Sequence, residues 1–166
     1  MYSPEKASTC CFTGHRVITG EAKITVFNRL CDTVRELYLK GITTFVSGGA
    51  LGFDTLAAFA VLHLKREFSG MKLVLALPCR DQDSRWSRAD RETYRKILDA
   101  ADEVICLNES YCTGCMHQRN RLMVNLSSVC VAYCTKASGG TAYTVNLAKS
   151  EGLRVLNLAA SPHNQK

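Results

Sequence analysis

Thr43-Thr44-Phe45-Val46-Ser47-Gly48-Gly49-Ala50-Leu51-Gly52-Phe53-Asp54 is the stretch that decides the fold. Strand-forming residues run straight into a turn holding Gly48, Gly49 and Gly52. Asp54 then opens a segment with small residues, Ala57, Ala58 and Ala60, that can pack closely on a sheet. Glycine lets a backbone turn sharply and come close to other groups, and the amides that open a helix meet an anion with a positive dipole end. The same order of strand, glycine turn and helix returns further along, with Ser138-Gly139-Gly140-Thr141 following an apolar run. Each turn reads as a phosphate cradle or as a tight turn with no ligand.

Outward from these turns, short apolar runs alternate with segments of helical period. Strands are predicted over 8–13, 42–47, 71–77, 103–107, 129–133 and 154–158, and helices over 23–40, 54–67, 89–101, 117–126 and 141–151. In the first helix Ile24, Phe27, Leu30, Cys31, Val34, Leu37 and Tyr38 form one apolar stripe, and Gly41 ends it as a C-cap. The run Leu73-Val74-Leu75-Ala76-Leu77 is apolar on both faces, as a parallel sheet covered on both sides requires. The fold class is therefore α/β, a single doubly wound, mainly parallel sheet with helices on both faces. One domain is expected over 1–166, with a frayed tail at 159–166. In such sheets ligands sit beyond the carboxyl ends of the strands, where the strand order reverses.

Bulk properties narrow the partners. The 166 residues are 46% apolar and carry a formal net charge of +6, which favours anionic partners. Lys and Arg are nevertheless spread along the chain without a dense run, so a small anionic ligand is expected rather than a nucleic-acid groove. No apolar stretch approaches the ~18 residues of a membrane span. Residues 1–7 lack the basic start and apolar core of a secretion signal, and a cytoplasmic location is expected. The nine cysteines are an odd count, and Cys10, Cys11, Cys106, Cys130 and Cys134 lie in apolar runs, so reduced thiols acting as small hydrophobes are expected.

The loops at the predicted strand ends hold the residues able to do chemistry. Asp54 reads as a helix cap or as an acceptor for a ribose hydroxyl or an attacking water, since a carboxylate there would repel a phosphate. Thr141 adds a hydroxyl to the amides of the second turn. Arg16, after Gly14-His15, and Arg119, beside Asn120, carry guanidinium forks suited to phosphate. His15 is read as a ligand contact, and Trp86 either stacks on a base or anchors its loop. Cys112-Thr113-Gly114-Cys115 has the spacing of half a zinc site or a redox pair, but no second pair completes four ligands, and no metal is expected. No Gly-x-Ser-x-Gly elbow or His-Glu-x-x-His helix is present.

Taken in order, Cys11-Phe12-Thr13-Gly14-His15-Arg16, Phe45 to Asp54, Leu77-Pro78, Gln118-Arg119-Asn120-Arg121-Leu122-Met123-Val124 and Gly139-Gly140-Thr141 resemble the YpsA-like proteins of the SLOG superfamily. That superfamily groups Rossmann-like domains related to DprA and to the LOG phosphoribohydrolases. The resemblance implies a pocket for a nucleotide-derived ligand lined by the two glycine turns. LOG enzymes carry a catalytic glutamate in a Pro-Gly-Gly-x-Gly-Thr-x-x-Glu motif, and its position falls on Thr144 here. LOG-type hydrolysis would then need Asp54 or Glu109 as a substitute acid.

The leading expectation is binding of a nucleotide or an ADP-ribose- or NAD-like ligand, possessing no required cofactor. Ser47, Gly48, Gly49, Gly52, Gly139, Gly140 and Thr141 would hold phosphate, Gly14, His15, Arg16 and Arg119 would add contacts and charge, and Asp54 and Asn120 would address ribose, with Trp86 over the base. The alternatives are N-glycosidic hydrolysis of a nucleoside monophosphate and, more weakly, single-stranded DNA binding. A homo-oligomer is compatible with all three.

Overall fold

Strands that are apolar on both faces need helices on both sides, and the chain folds that way. The computed structural model describes residues 2–159. A 3-10 turn, Lys6–Ser8, leads into β1 (Thr9–Gly14), α1 (Gly20–Leu39), β2 (Thr44–Ser47), α2 (Phe53–Lys65), β3 (Lys72–Leu77) and α3 (Arg88–Ala100). The alternation continues through β4 (Glu103–Cys106), α4 (Cys115–Leu126), β5 (Val129–Tyr133), α5 (Gly140–Ser150) and β6 (Arg154–Asn157). The strands form one sheet in the order β4-β3-β2-β1-β5-β6, and every pair is parallel. Growth from β1 goes outward through β2, β3 and β4, then returns to the other side of β1 for β5 and β6. The order therefore reverses between β1 and β5.

The period of two along a strand divides the core into two layers. Cys10 and Phe12, Phe45, and Leu73, Leu75 and Leu77 face α1, α2 and α3, where Leu30, Val34, Phe53 and Leu64 complete one cluster. Cys11, Val46, Val74 and Ala76 face the opposite side and pack with Met123 and Val124 of α4 and Ala148 of α5. The Phe12 ring lies 6.1 Å from Phe45 and 6.4 Å from Phe53, both as centroid distances. Burial of each such ring contributes about 1.5–3 kcal/mol.

Three sequence expectations change in detail. In α1 the buried residues are Val26, Leu30, Val34 and Leu37, while Ile24 is 70% exposed. The stripe facing the core thus runs along Val26 rather than Ile24, and Phe27, Cys31 and Tyr38 lie on its flank. Cys106 is exposed and Cys134 only half-buried, because β4 is an edge strand and Cys134 follows the end of β5. The helix α4 begins at Cys115, two residues before the predicted start, since Gly114 takes a left-handed conformation (φ 84°) that lets the preceding turn run into it. Gly41, at φ 103°, follows α1 as expected. The frayed tail expected from 159 onward lies, past Ala159, outside the described residues.

Candidate ligand-binding site

Beyond the carboxyl ends of β1 and β5, at the reversal of strand order, lies a cavity of about 300 Å³. The end of β1 and the loop after it supply Thr13, Gly14, His15 and Arg16. The first turns of α4 contribute Met116, His117, Arg119 and Asn120, and α5 contributes Gly140 and Thr141. The first glycine turn reaches the cavity only through Ala50 and Asp54.

The two glycine turns differ in what their amides do. In the first, Ser47 Oγ accepts from the Gly49 amide at 3.2 Å and donates to the Asp54 carbonyl at 3.1 Å. The Asp54 carboxylate accepts from the Ala50 amide at 3.2 Å, and the Phe53 amide donates to the His15 carbonyl at 3.1 Å. This turn is filled from within by its own carboxylate. Its glycines answer close packing: a Cβ on Gly48 would stand 2.5 Å from Arg119 Nη1, and one on Gly52 (φ 77°) 2.3 Å from the Arg16 carbonyl oxygen. Gly49 (φ 67°) packs against Leu77, Gln82 and Tyr94.

The second turn is open. No side chain caps α5 at Gly139 (φ 101°), and a Cβ on Gly139 or Gly140 would meet nothing within 4 Å. The amides that begin α5 thus face the cavity with the positive end of the helix dipole. The helix α4 likewise starts at Gly114 without a side-chain cap. The His117 and Tyr143 rings, 4.7 Å apart, join the two helices at this end.

Asp54 and Arg119 form the charged floor. Arg119 is only 4% exposed, and its Nη1 donates to the Gly48 carbonyl at 2.6 Å, while Nε donates to Asn120 Oδ1 at 2.7 Å. Burial lowers its pKa, and the Asp54 charge opposes that shift. Asp54 is 7% exposed, and burial raises its pKa to about 6 against the pull of Arg119 and the Ala50 amide. A carboxyl poised near neutrality can hold a proton, accept a hydroxyl or act as a base. At the rim, the Thr135 amide donates to His15 Nε2 at 2.8 Å, which leaves the ring proton on Nδ1. Partial burial, with the Lys136 charge, lowers the His15 pKa and favours the neutral ring. Arg16 is exposed, and its Nη2 reaches Met116 Sδ at 3.9 Å.

The structure thus brings together Gly14, His15, Arg16, Asp54, Arg119, Asn120, Gly140 and Thr141. Ser47, Gly48 and Gly49 lie behind the cavity wall, bonded or packed inward. Gly52 and Trp86 border a separate cleft on the far side of the 50–54 turn. Glu109 is remote from the cavity and exposed, paired with Arg80 at 3.0 Å. Thr144, at the LOG glutamate position, is buried and donates to the Gly140 carbonyl at 3.0 Å. Cys112 is exposed and Cys115 buried; among the described residues, no group of three or more His, Cys, Asp or Glu is placed to hold a metal ion. No helix among them is long and apolar enough to cross a membrane.

Among protein families, the YspA SLOG family model (YpsA) matches residues 19–155. The chain belongs to the YspA SLOG family. Similar proteins include the uncharacterized SPbeta prophage-derived protein YoqJ of Bacillus subtilis, 30% identical over 74% of this chain and 79% of that protein. A UPF0398 protein of Halalkalibacterium halodurans is 31% identical over 70% of this chain and 63% of its own length. Among solved structures, DprA of Streptococcus pneumoniae superposes with a TM-score of 0.67 at 20% identity. That likeness covers 96% of this chain and 53% of the DprA chain. DprA of Helicobacter pylori, whose structure is described as showing a single-stranded DNA binding mode, gives 0.63 at 22% identity, over 90% of this chain and 64% of its own. This SLOG chain therefore has the DprA-like fold and spans about half to two thirds of those proteins.

The cavity of the SLOG chain also uses residues that sequence reasoning did not name as ligand contacts. Met116 and His117 join Arg119 and Asn120 because positions three and four apart share one face of the first turns of α4. That spacing was the available signal.

Proposed function

We propose that the chain binds a phosphate-bearing, nucleotide-derived ligand, of the ADP-ribose or NAD kind, in the cavity at the strand-order reversal. The observation that carries this reading is the uncapped start of α5, Gly140 and Thr141, opening on a cavity that the exposed Arg16 also lines. Free helix-opening amides, a positive dipole end and a guanidinium meet a phosphate with little reorganisation. Arg119 supplies charge from beneath, and Asp54 and Asn120 stand where ribose hydroxyls would be read. Membership in the SLOG family supports a nucleotide-related role.

Calorimetry with a panel of nucleoside monophosphates, ADP-ribose and NAD tests this. Binding is expected and should weaken at least tenfold in Gly140→Asp, which sets a carboxylate at the open helix start. Absence of binding by the whole panel would overturn the proposal.

One observation favours a second reading, hydrolysis of an N-glycosidic bond: the buried Asp54, with its pKa raised to about 6, lines the same cavity. Release of free base from a bound nucleotide, abolished in Asp54→Asn with binding retained, is the result that would establish it. Binding without turnover leaves the chain a receptor for its ligand.

A further inference from the structure

Three thiols meet where β3 ends and α4 begins. Cys79 follows β3, and Cys112 and Cys115 bound the turn Cys112-Thr113-Gly114-Cys115 that opens α4. The Cys115 amide donates to the Cys112 carbonyl at 3.2 Å, which closes the turn, and Gly114 takes the left-handed conformation it needs (φ 84°). Four residues closed in this way hold their end Cα atoms within about 7 Å, the limit for a disulfide bridge. The side chains meet as well: the Cys115 thiol is hydrogen-bonded to both Cys112 and Cys79.

The surroundings hold this arrangement and give the three thiols different characters. Asn108 Nδ2 donates to the Pro78 carbonyl at 2.8 Å and to Gln118 Oε1 at 3.0 Å, which ties the end of β3 to α4. The Tyr111 amide donates to Asp81 Oδ1 at 2.9 Å and seats the residue before Cys112 beside the Cys79 loop. Cys112 is exposed, whereas Cys79 and Cys115 are buried. Burial and the Asp81 carboxylate push the Cys79 thiol up to about 12, so it stays protonated and is a poor nucleophile. Slight desolvation and the contact with Cys115 also raise the Cys112 thiol, so its thiolate is not stabilised. Such a thiol gives up little on oxidation, and a disulfide formed there lasts rather than passing to other proteins.

We infer that Cys112 and Cys115 are a disulfide-forming dithiol oxidised by a low-molecular-weight disulfide, with Cys112 the attacking thiol and Cys115 the resolving one. The Cys112 thiol loses its proton, and its sulfur attacks one sulfur of the small disulfide, whose S–S bond breaks and releases a thiolate. Cys115 then loses its proton, and its sulfur attacks Cys112 Sγ; the mixed disulfide breaks and the second thiolate leaves. The two leaving thiolates take up the two protons, so the cysteines lose two electrons and the small disulfide gains them. The bond pins the start of α4, the segment that carries Met116, His117, Arg119 and Asn120 into the cavity. The reaction needs no ligand in that cavity.

Oxidised glutathione, added to the full reduced chain at mildly alkaline pH, is the probe. Remaining thiols are alkylated under denaturing conditions, and cleavage after Tyr111 separates Cys106 from the pair before mass spectrometry. The expected product is a disulfide joining Cys112 to Cys115, about 2 Da lighter than the dithiol, with no glutathione retained on either cysteine. Dithiothreitol should reverse it. Cys112→Ser, at an exposed position, should abolish the bond, and Cys115→Ser should trap glutathione on Cys112. A glutathione adduct that persists on Cys112 in the unsubstituted chain sinks the inference. So does a bridge to Cys79 or Cys106, or a pair still free after hours at millimolar probe. The product of the unsubstituted chain decides the matter even if Cys115→Ser folds poorly.

Discussion

Asp54 is the residue whose state most affects the rest. Its folded pKa, about 6, lies above the ordinary 3.8, so the folded chain takes up this proton before the unfolded chain does. The contribution is fully present below the unfolded value and is lost as pH rises through about 6. Between pH 4 and pH 8, the stability difference between Asp54→Asn and the parent should move toward the variant by up to ~3 kcal/mol, read from denaturant midpoints at each pH. A phosphate ligand facing the same carboxyl should bind more weakly at pH 8 than at pH 5.5, by calorimetry. Glycines give a second contrast at this scale. Gly52→Ala, with a left-handed φ and backbone carbonyls against the new Cβ, should cost more than ~2 kcal/mol, whereas Gly140→Ala, in open space, should change stability by less than ~0.5 kcal/mol. Chemical denaturation of the two variants checks the order. Sequence alone showed both turns but not this difference, because Gly48 and Gly52 are shaped by Arg119 and the Arg16 carbonyl, which lie far away in the chain.

At the scale of elements, periodicity located every helix and strand to within a few residues. The unbroken apolar runs Cys10 to Phe12 and Leu73 to Leu77 are dictated by burial on two faces. Residue roles in the site were less legible. Arg119 was legible as a guanidinium near a ligand but not as a buried one: its Nη1 donates to the Gly48 carbonyl at 2.6 Å and reaches the Ala76 carbonyl at 3.4 Å, partners far away in the chain. Trp86 and Glu109 sit on loops at strand carboxyl ends, as the candidate positions do, but those loops turn toward α3 and Arg80. The start of α3 supports the loop that precedes it. Ser87→Ala removes its cap and should cost about 1 kcal/mol, and should also broaden or shift Trp86 emission in the unliganded chain.

Across the whole molecule, the nine thiols divide by depth. Cys106 and Cys112 are exposed, Cys31 and Cys134 are half-buried, and Cys10, Cys11, Cys79, Cys115 and Cys130 are buried. Burial raises the Cys10 and Cys79 thiols well out of the reactive range, Cys79 to about 12. A thiol-specific reagent should modify Cys106 and Cys112 first, and the five buried thiols only on unfolding, as counted by mass spectrometry of the labelled chain. The net charge of +6 should give ligand binding a shallow salt dependence, while a steep one with single-stranded DNA would favour a polyanion instead.

The reversal of strand order also has a consequence in time. β2, β3 and β4 each pair with the strand made just before, but Cys10 finds Val129 only after most of the chain exists. Until then β1 presents an unpaired apolar edge, open to wrong partners, and the loop that must close to cover it is the longest in the sheet. Pulse-labelled hydrogen exchange during refolding should find the amides of Phe45 and Leu73 protected before those of Cys130 and Val131. The cavity between β1 and β5 then forms late, and ligand added during refolding can act only after β5 has docked on β1.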